Sequence, residues 1–201
     1  MKRLLTILLG VLGLSLFLVS PVNATPTAHP LDGRIHGWQY GNISVEDHTS
    51  SNFLVYAQVN YTRNITGGQV PIYYINNSIR SCAYYASQGS PNCIKTYNGN
   101  YGATGWLGRT LTEDFRALTG EMVPITIVQF NSYYLEGNGP AATAHARNVT
   151  LCHEIGHAVG LWYHRPDTDY VNSCMVGNGN LANYTYTGFN SLDIQYLQNW
   201  Y

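Results

Sequence analysis

From Phe53 to Tyr61 the side chains fall into two alternating sets: Phe53, Val55, Ala57, Val59 and Tyr61 on one face, Leu54, Tyr56, Gln58 and Asn60 on the other. A period of two predicts a strand with one buried face. Gln69–Ile75 is a second predicted strand, and Pro71 places it at a sheet edge. Residues 110–119 read as a short helix, because Thr110 and Glu113 form a capping-box pair and Leu111, Phe115 and Leu118 share a face before Gly120. Met122–Phe130 is apolar and β-branched, the composition of a buried strand. The turn residues Gly137, Asn138, Gly139 and Pro140 mark a loop across 131–140. A longer helix is predicted over Ala142–Val159, with Gly160 placed to cap it. Asn190 or Ser191 caps a final helix carrying Leu192, Tyr196, Leu197 and Trp200. Residues 25–51, 76–108 and 161–189 show no clear period and read as irregular.

The first 24 residues differ from all the others. Lys2 and Arg3 precede an uncharged apolar run from Leu4 to about Ser20, Pro21 breaks it, and Val22-Asn23-Ala24 offers small residues for cleavage. This is the order of a secretory signal peptide, so residues 1–24 are expected to be removed and the chain exported. The rest contains no second long apolar stretch. A soluble extracellular protein without stable membrane association is the expectation. Residues 25–201 have the length of one domain and show neither an internal repeat nor a linker.

Composition narrows the partners. The chain has 10 basic and 11 acidic residues; removing Lys2 and Arg3 leaves 8 against 11, a net charge of −3, and Lys95 as the remaining lysine. Nucleic-acid binding calls for clustered Lys and Arg, so no nucleic-acid partner is expected. Cys82, Cys93, Cys152 and Cys174 all lie in the exported part. An even number in an oxidising compartment predicts two disulfides, with three possible connectivities. Cys82 with Cys93 would close a short loop. Several Asn-x-Ser/Thr triplets, including those at Asn42, Asn60, Asn64, Asn76, Asn148 and Asn183, are in keeping with an Asn- and Thr-rich composition.

The segment CHEIGHAVGLWYHRP, Cys152–Pro166, carries the chemistry. His153 and His157 stand four apart, so on a helix both imidazoles reach one metal ion. Zinc takes imidazole nitrogen at ~2.0–2.1 Å, and catalytic sites use three protein ligands and an open position. Glu154 lies one step round the helix, where it can serve as general base toward water activated by the metal. With five Glu and seven His in the chain, chance produces this spacing in fewer than about one shuffled copy in a hundred. A third ligand must follow. No glutamate occurs after Glu154, which excludes closure by a glutamate on a later helix. His164, Asp167, Asp169 and Asp193 remain, with Tyr163 and Tyr170 as weaker donors. Asp193 suits the first turn of the last helix for dipole reasons alone. His164 follows the glycine turn directly and is the preferred ligand, with Asp167 and Asp169 open as alternatives.

His153, Glu154, His157 and Gly160, with Ser173-Cys174-Met175 downstream, resemble the metzincin zinc proteases, defined by H-E-x-x-H-x-x-G-x-x-H and a methionine turn. HEIGHAVGL is similar to the core of the matrixins and their small bacterial relatives. The resemblance is specific over 152–175 and negligible before about residue 100. Two departures stand out. The closing histidine falls one place late, at His164 behind Tyr163, and the aspartate that snapalysin-type enzymes carry at the position of Tyr163 is absent.

The resemblance implies an α+β fold. A mixed, twisted β-sheet and the zinc helix would form an upper part over about 25–160, and a small irregular lower part over about 161–201 would end in a helix. It implies Met175 beneath the metal, and a Cys152–Cys174 disulfide, leaving Cys82 for Cys93. It implies one catalytic Zn2+; the chain is poor in acidic clusters, so neither calcium nor a second zinc is expected. The implied function is that of a secreted, monomeric zinc endopeptidase whose protein or peptide substrate lies along an edge strand and is hydrolysed by zinc-activated water with Glu154 as base. The rival reading is a binding module with the same fold and no catalysis, holding peptides or glycans on Trp38, Tyr84, Tyr85, Tyr97 and Trp106.

Overall fold

In the computed structural model, residues 37–38, 41–75, 81–87, 92–112, 121–122, 125–161, 172–175 and 186–201 are described. The predicted signal segment 1–24 lies outside them, as does the stretch 162–170 containing Tyr163, His164, Asp167, Asp169 and Tyr170. In chain order the elements are β1 (Gly37–Trp38), β2 (Ile43–His48), α1 (Val55–Ile65), β3 (Ile72–Ile75), α2 (Cys82–Ser87), β4 (Cys93–Gly99), β5 (Gly108–Thr112), β6 (Glu121–Met122), β7 (Ile125–Asn131), α3 (Ser132–Leu135), α4 (Ala144–Ala158) and α5 (Ser191–Trp200).

Five strands form one mixed sheet in the order β3-β2-β4-β7-β5, and β1 pairs with β6 separately. Neighbours among β3, β2, β4 and β7 run parallel, whereas β5 lies antiparallel to β7 at the edge, with Thr110 opposite Val128. On β7, Thr126, Val128 and Phe130 are buried while Ile125 is exposed, so one face of the sheet is covered. Helices α1 and α4 contact each other as well as the sheet. Val55, Val59, Ile72, Val128, Phe130, Leu151 and Ile155 belong to one continuous core between them.

The strand predicted at 53–61 is helix α1. Its buried residues are Val55, Gln58, Val59 and Thr62, the i, i+3, i+4, i+7 set of a helix. Two of those four are polar, with Gln58 Nε2 3.4 Å from Thr62 Oγ1, so a reading of apolar positions alone finds the wrong period. The helix predicted at 110–119 fails where it can be judged: residues 110–112 belong to β5, and 113–119 lie outside the described residues. Thr110 faces another element and caps nothing. Strand β2 lies within the segment read as irregular because it buries Ser44 and Glu46 among its apolar residues. Strand β4 and helix α2 likewise replace irregular structure in 76–108.

The later elements match their signals. The Pro71 strand is the edge strand β3. The predicted loop 131–140 opens with the single turn of α3, capped by Asn131, whose side chain accepts from the Tyr133 N–H. Thr143 caps α4 by accepting from the Ala146 N–H, and Asn190 with Asp193 makes a capping box on α5. Both expected disulfides are present, Cys82–Cys93 and Cys152–Cys174, with Cα separations of 5.7 and 5.9 Å. Among the described residues no helix is long and apolar enough to cross a membrane.

Candidate metal centre

Helix α4 is buried on every side from Leu151 to Ala158. A helix that buries two histidines and a glutamate must satisfy them internally. His153, Glu154 and His157 are exposed by only 5, 4 and 9%.

Each imidazole is oriented by a backbone carbonyl. His153 Nδ1 lies 2.7 Å from the Cys174 carbonyl oxygen, and His157 Nδ1 lies 2.6 Å from that of Leu161. A carbonyl only accepts, so both Nδ1 atoms carry the proton and both Nε2 atoms present lone pairs. Those two Nε2 atoms face one another at 3.0 Å, with the rings perpendicular and 4.5 Å apart. Two lone pairs at that distance repel unless a cation, a proton or a metal ion, lies between them.

Zinc fits this donor set. Two imidazole nitrogens on one tetrahedral zinc stand roughly 3.3 Å apart, a few tenths of an ångström beyond the spacing here. Donation of the far ring nitrogen to a carbonyl is the usual way a protein fixes a metal-binding tautomer. Among the described residues no further histidine, thiol or carboxylate joins the two imidazoles within ligand distance, and that includes Glu154.

The supports come from three places in the chain. Behind His157 the helix ends in a Schellman turn: Gly160 N–H donates to His157 O at 3.0 Å, and Leu161 N–H donates to Gly156 O at 2.9 Å. Gly160 takes φ +112°, which a residue with a side chain rarely adopts. That turn carries the Leu161 carbonyl back to His157. The neighbouring carbonyls are held too, Ala158 O by the Trp38 indole N–H at 2.9 Å and Val159 O by the Tyr201 hydroxyl at 3.0 Å. Trp38 is therefore a buried support, at 2% exposure, and not the surface ligand-binder of the rival reading. Behind His153, the Cys152–Cys174 disulfide ties the residue before this histidine to the residue whose carbonyl orients it.

Met175 is fully buried against Gly156, where an added Cβ would press on the Met175 sulfur. Its backbone N–H donates to Ser173 Oγ, and that hydroxyl in turn bonds the buried Asp193 carboxylate at the start of α5. Asp193 thus ties the methionine segment to the last helix while capping it, a role its dipole-friendly position in the sequence does not reveal.

Glu154 turns toward β5. Thr110 Oγ1 lies 2.8 Å from Glu154 Oε2 and 2.9 Å from the Glu154 carbonyl oxygen. Burial pushes the carboxyl up to about 8, with the Thr110 hydrogen bond pulling the other way. Gly108, two residues before Thr110 on the same face, leaves the space that Glu154 occupies: a Cβ there would lie 2.7 Å from Glu154 Cγ. Gly108 carries no motif, Thr110 carries only the helix-cap pattern that strand β5 overrides, and the two supporting carbonyls are backbone atoms with no residue signature at all.

The Nε2 atoms of His153 and His157 meet, Cys152 is joined to Cys174, Met175 lies against Gly156 and Glu154 turns to β5, whereas His164 lies outside the described residues. The sequence matches no family model and no curated protein. Among solved structures, the chain is similar to the archaemetzincin of Methanopyrus kandleri, at 14% identity and a TM-score of 0.43 over 79% of this chain and 94% of that one. It is also similar to the archaemetzincin of Archaeoglobus fulgidus, solved with malonate, at 14% identity and a TM-score of 0.41 over 77% of this chain and 99% of that one. At those scores the likeness fixes neither the activity nor the ligands of this chain.

Proposed function

We propose that the chain is a secreted zinc endopeptidase of the metzincin type, with a matrixin-like core. His153, His157 and His164 hold the metal, and the substrate is a protein or peptide. The reading rests on one observation above all: two imidazoles with Nδ1 fixed on backbone carbonyls bring their Nε2 lone pairs together at 3.0 Å. When bound, zinc supplies Lewis acidity, polarising a carbonyl and making water a stronger acid.

The chain's own residues do the rest. Glu154 takes the proton from the attacking water and passes it to the leaving amine. Burial raises its carboxyl to about 8 in the metal-free protein, and a cation bound beside it would favour the carboxylate that accepts the proton. Strand β5, at the sheet edge and in contact with α4, offers backbone hydrogen bonds to an extended peptide beside Glu154. No histidine or carboxylate among the described residues completes the site, and His164 follows Gly160 four residues on in the sequence.

Zinc stoichiometry and cleavage of casein or gelatin, measured for the wild type, Glu154→Gln and His164→Ala, test this reading. Glu154→Gln is expected to keep zinc and lose cleavage, and His164→Ala to lose both. A zinc-loaded wild type that cleaves neither protein would defeat the proposal. An active wild type whose His164→Ala variant keeps full zinc and activity removes His164 from the ligand set.

A further inference from the structure

Resting on the endopeptidase reading, we propose that Thr110 is a positioning residue for the reaction: its hydroxyl sets the orientation of the Glu154 carboxylate. A glutamate side chain has three rotatable bonds, and a general base works only when its oxygen is held where the proton will be. Thr110 Oγ1 is within hydrogen-bond distance of both the Glu154 carboxylate, at 2.8 Å, and the carbonyl oxygen of the same residue, at 2.9 Å. One hydroxyl therefore references the end of the side chain to its own backbone. Gly108 bounds the other side, because a Cβ there would come within 2.7 Å of Glu154 Cγ and 3.0 Å of Oε1. Without a side chain at 108 the acid can lie flat against β5, and with the hydroxyl at 110 it stays there.

The choice of a hydroxyl has a chemical reason. During turnover a general base alternates between carboxylate and carboxylic acid. A threonine hydroxyl donates to the first and accepts from the second, so it holds Glu154 in both states. A lysine or arginine in its place would favour the charged form alone. The support is rigid because β5 is paired along its length with β7, which itself packs on α4. Residues 108 and 110 share the face toward α4, so a peptide pairing with the open edge of β5 leaves this contact undisturbed.

Thr110→Val keeps the β-branched shape and removes the hydroxyl, and Thr110→Ser keeps the hydroxyl. Both are compared with the wild type and Glu154→Gln for kcat, KM, zinc stoichiometry and Tm, and metal-free wild type and Thr110→Val are crystallised. Thr110→Val is expected to lower kcat by about 10–100-fold, as misplacing a catalytic group does. KM should stay within about twofold, zinc content should match the wild type, Tm should fall by only a few degrees for the lost hydrogen bond, and Thr110→Ser should recover kcat to within about threefold. In metal-free Thr110→Val crystals the Glu154 carboxylate is expected to leave the Gly108–Thr110 stretch.

Three outcomes overturn the proposal while leaving the endopeptidase reading intact. They are a Thr110→Val kcat within about twofold of an active wild type, a change confined to KM, and a Thr110→Ser as impaired as Thr110→Val. A zinc-loaded wild type with no cleavage removes the reading and the proposal together.

Discussion

Glu46 on β2 and Glu154 on α4 are both nearly buried, at 7 and 4% exposure. Glu46 lies against the Cys82–Cys93 disulfide, and Glu154 lies two residues from Cys152. Glu46 uses both of its oxygens: Oε1 meets His48 Nε2 at 2.8 Å, and Oε2 accepts the Cys82 N–H at 2.8 Å. Glu154 takes its hydrogen bond from a neutral hydroxyl, and burial raises its carboxyl to about 8. On the proposed function, the difference separates an acid that holds structure from one that moves a proton. Burial and residue type are the same in both; what differs is how fully the surroundings saturate the carboxylate.

Exchanging each acid for its amide is the largest test of that distinction. Glu154→Gln is expected to cut peptide cleavage by about 10²–10⁴-fold, the usual contribution of a general base, with zinc content unchanged. Glu46→Gln should leave cleavage within a few-fold of the wild type and lower stability by about 1–3 kcal/mol, because an amide cannot accept at both oxygens. Chemical unfolding and a peptidase assay on the two variants read both effects. A Glu46→Gln variant as inactive as Glu154→Gln would erase the distinction.

Titration tests Glu154 in another way. The folded carboxyl of Glu154 sits near 8 against an ordinary value of 4.5, so the native state favours the protonated acid. Its contribution to stability is complete below about pH 4.5 and is lost as pH rises through about 8. In metal-free protein that loss is on the order of 4–5 kcal/mol, and Glu154→Gln removes it. Urea unfolding at steps between pH 4.5 and 9, wild type against Glu154→Gln, checks the slope. Parallel curves for the two proteins would mean that Glu154 is more solvated than its burial implies.

The disulfides give the next contrast. Cys82–Cys93 closes 11 residues and Cys152–Cys174 closes 22. Loop entropy makes each worth roughly 3 kcal/mol, so paired Cys→Ser replacements at either site should destabilise to a similar degree. Zinc affinity should distinguish them. The Cys174 carbonyl orients His153, and loosening such a support weakens metal binding by about tenfold or more. The Cys82–Cys93 replacement should leave affinity unchanged. Competition with a chromophoric chelator measures it, and equal affinity in both variants would detach the disulfide from the metal centre.

The sequence read clearly wherever a local rule had a single solution. His153, Glu154 and His157 follow from spacing on one helix, and Gly160 and Asn190 mark ends that need a cap whatever lies around them. It misled where burial depends on distant partners. Gln58 and Thr62 are polar and buried because they satisfy one another within α1. Glu46 is buried because a backbone N–H 36 residues away meets it. Thr110 and Glu113 fit the spacing of a helix cap, yet Thr110 lies on a strand because β7 offers five residues to pair with. At the candidate site the legible half is the set of chemical groups. The unread half is what holds them: two carbonyls, a hydroxyl and the missing side chain of Gly108.

His48→Ala should have the smallest effect and bears on the structural side of the comparison. His48 stacks on Tyr97, with centroids 4.8 Å apart and planes 4° from parallel, and its Nε2 meets Glu46. Alanine removes the hydrogen bond to Glu46 and the ring contact with Tyr97 from a side chain that is 32% exposed. The Cys82 N–H remains on the other Glu46 oxygen, so the carboxylate is not stranded. A loss of about 1–2 kcal/mol is expected in urea unfolding, with zinc content and cleavage as in the wild type. His153→Ala, the same substitution at the other acid's neighbour, should abolish zinc binding. If His48→Ala instead lowers zinc content or cleavage, the β2 corner is coupled to the metal centre through β4 and β7, and Glu46 does more than hold the fold.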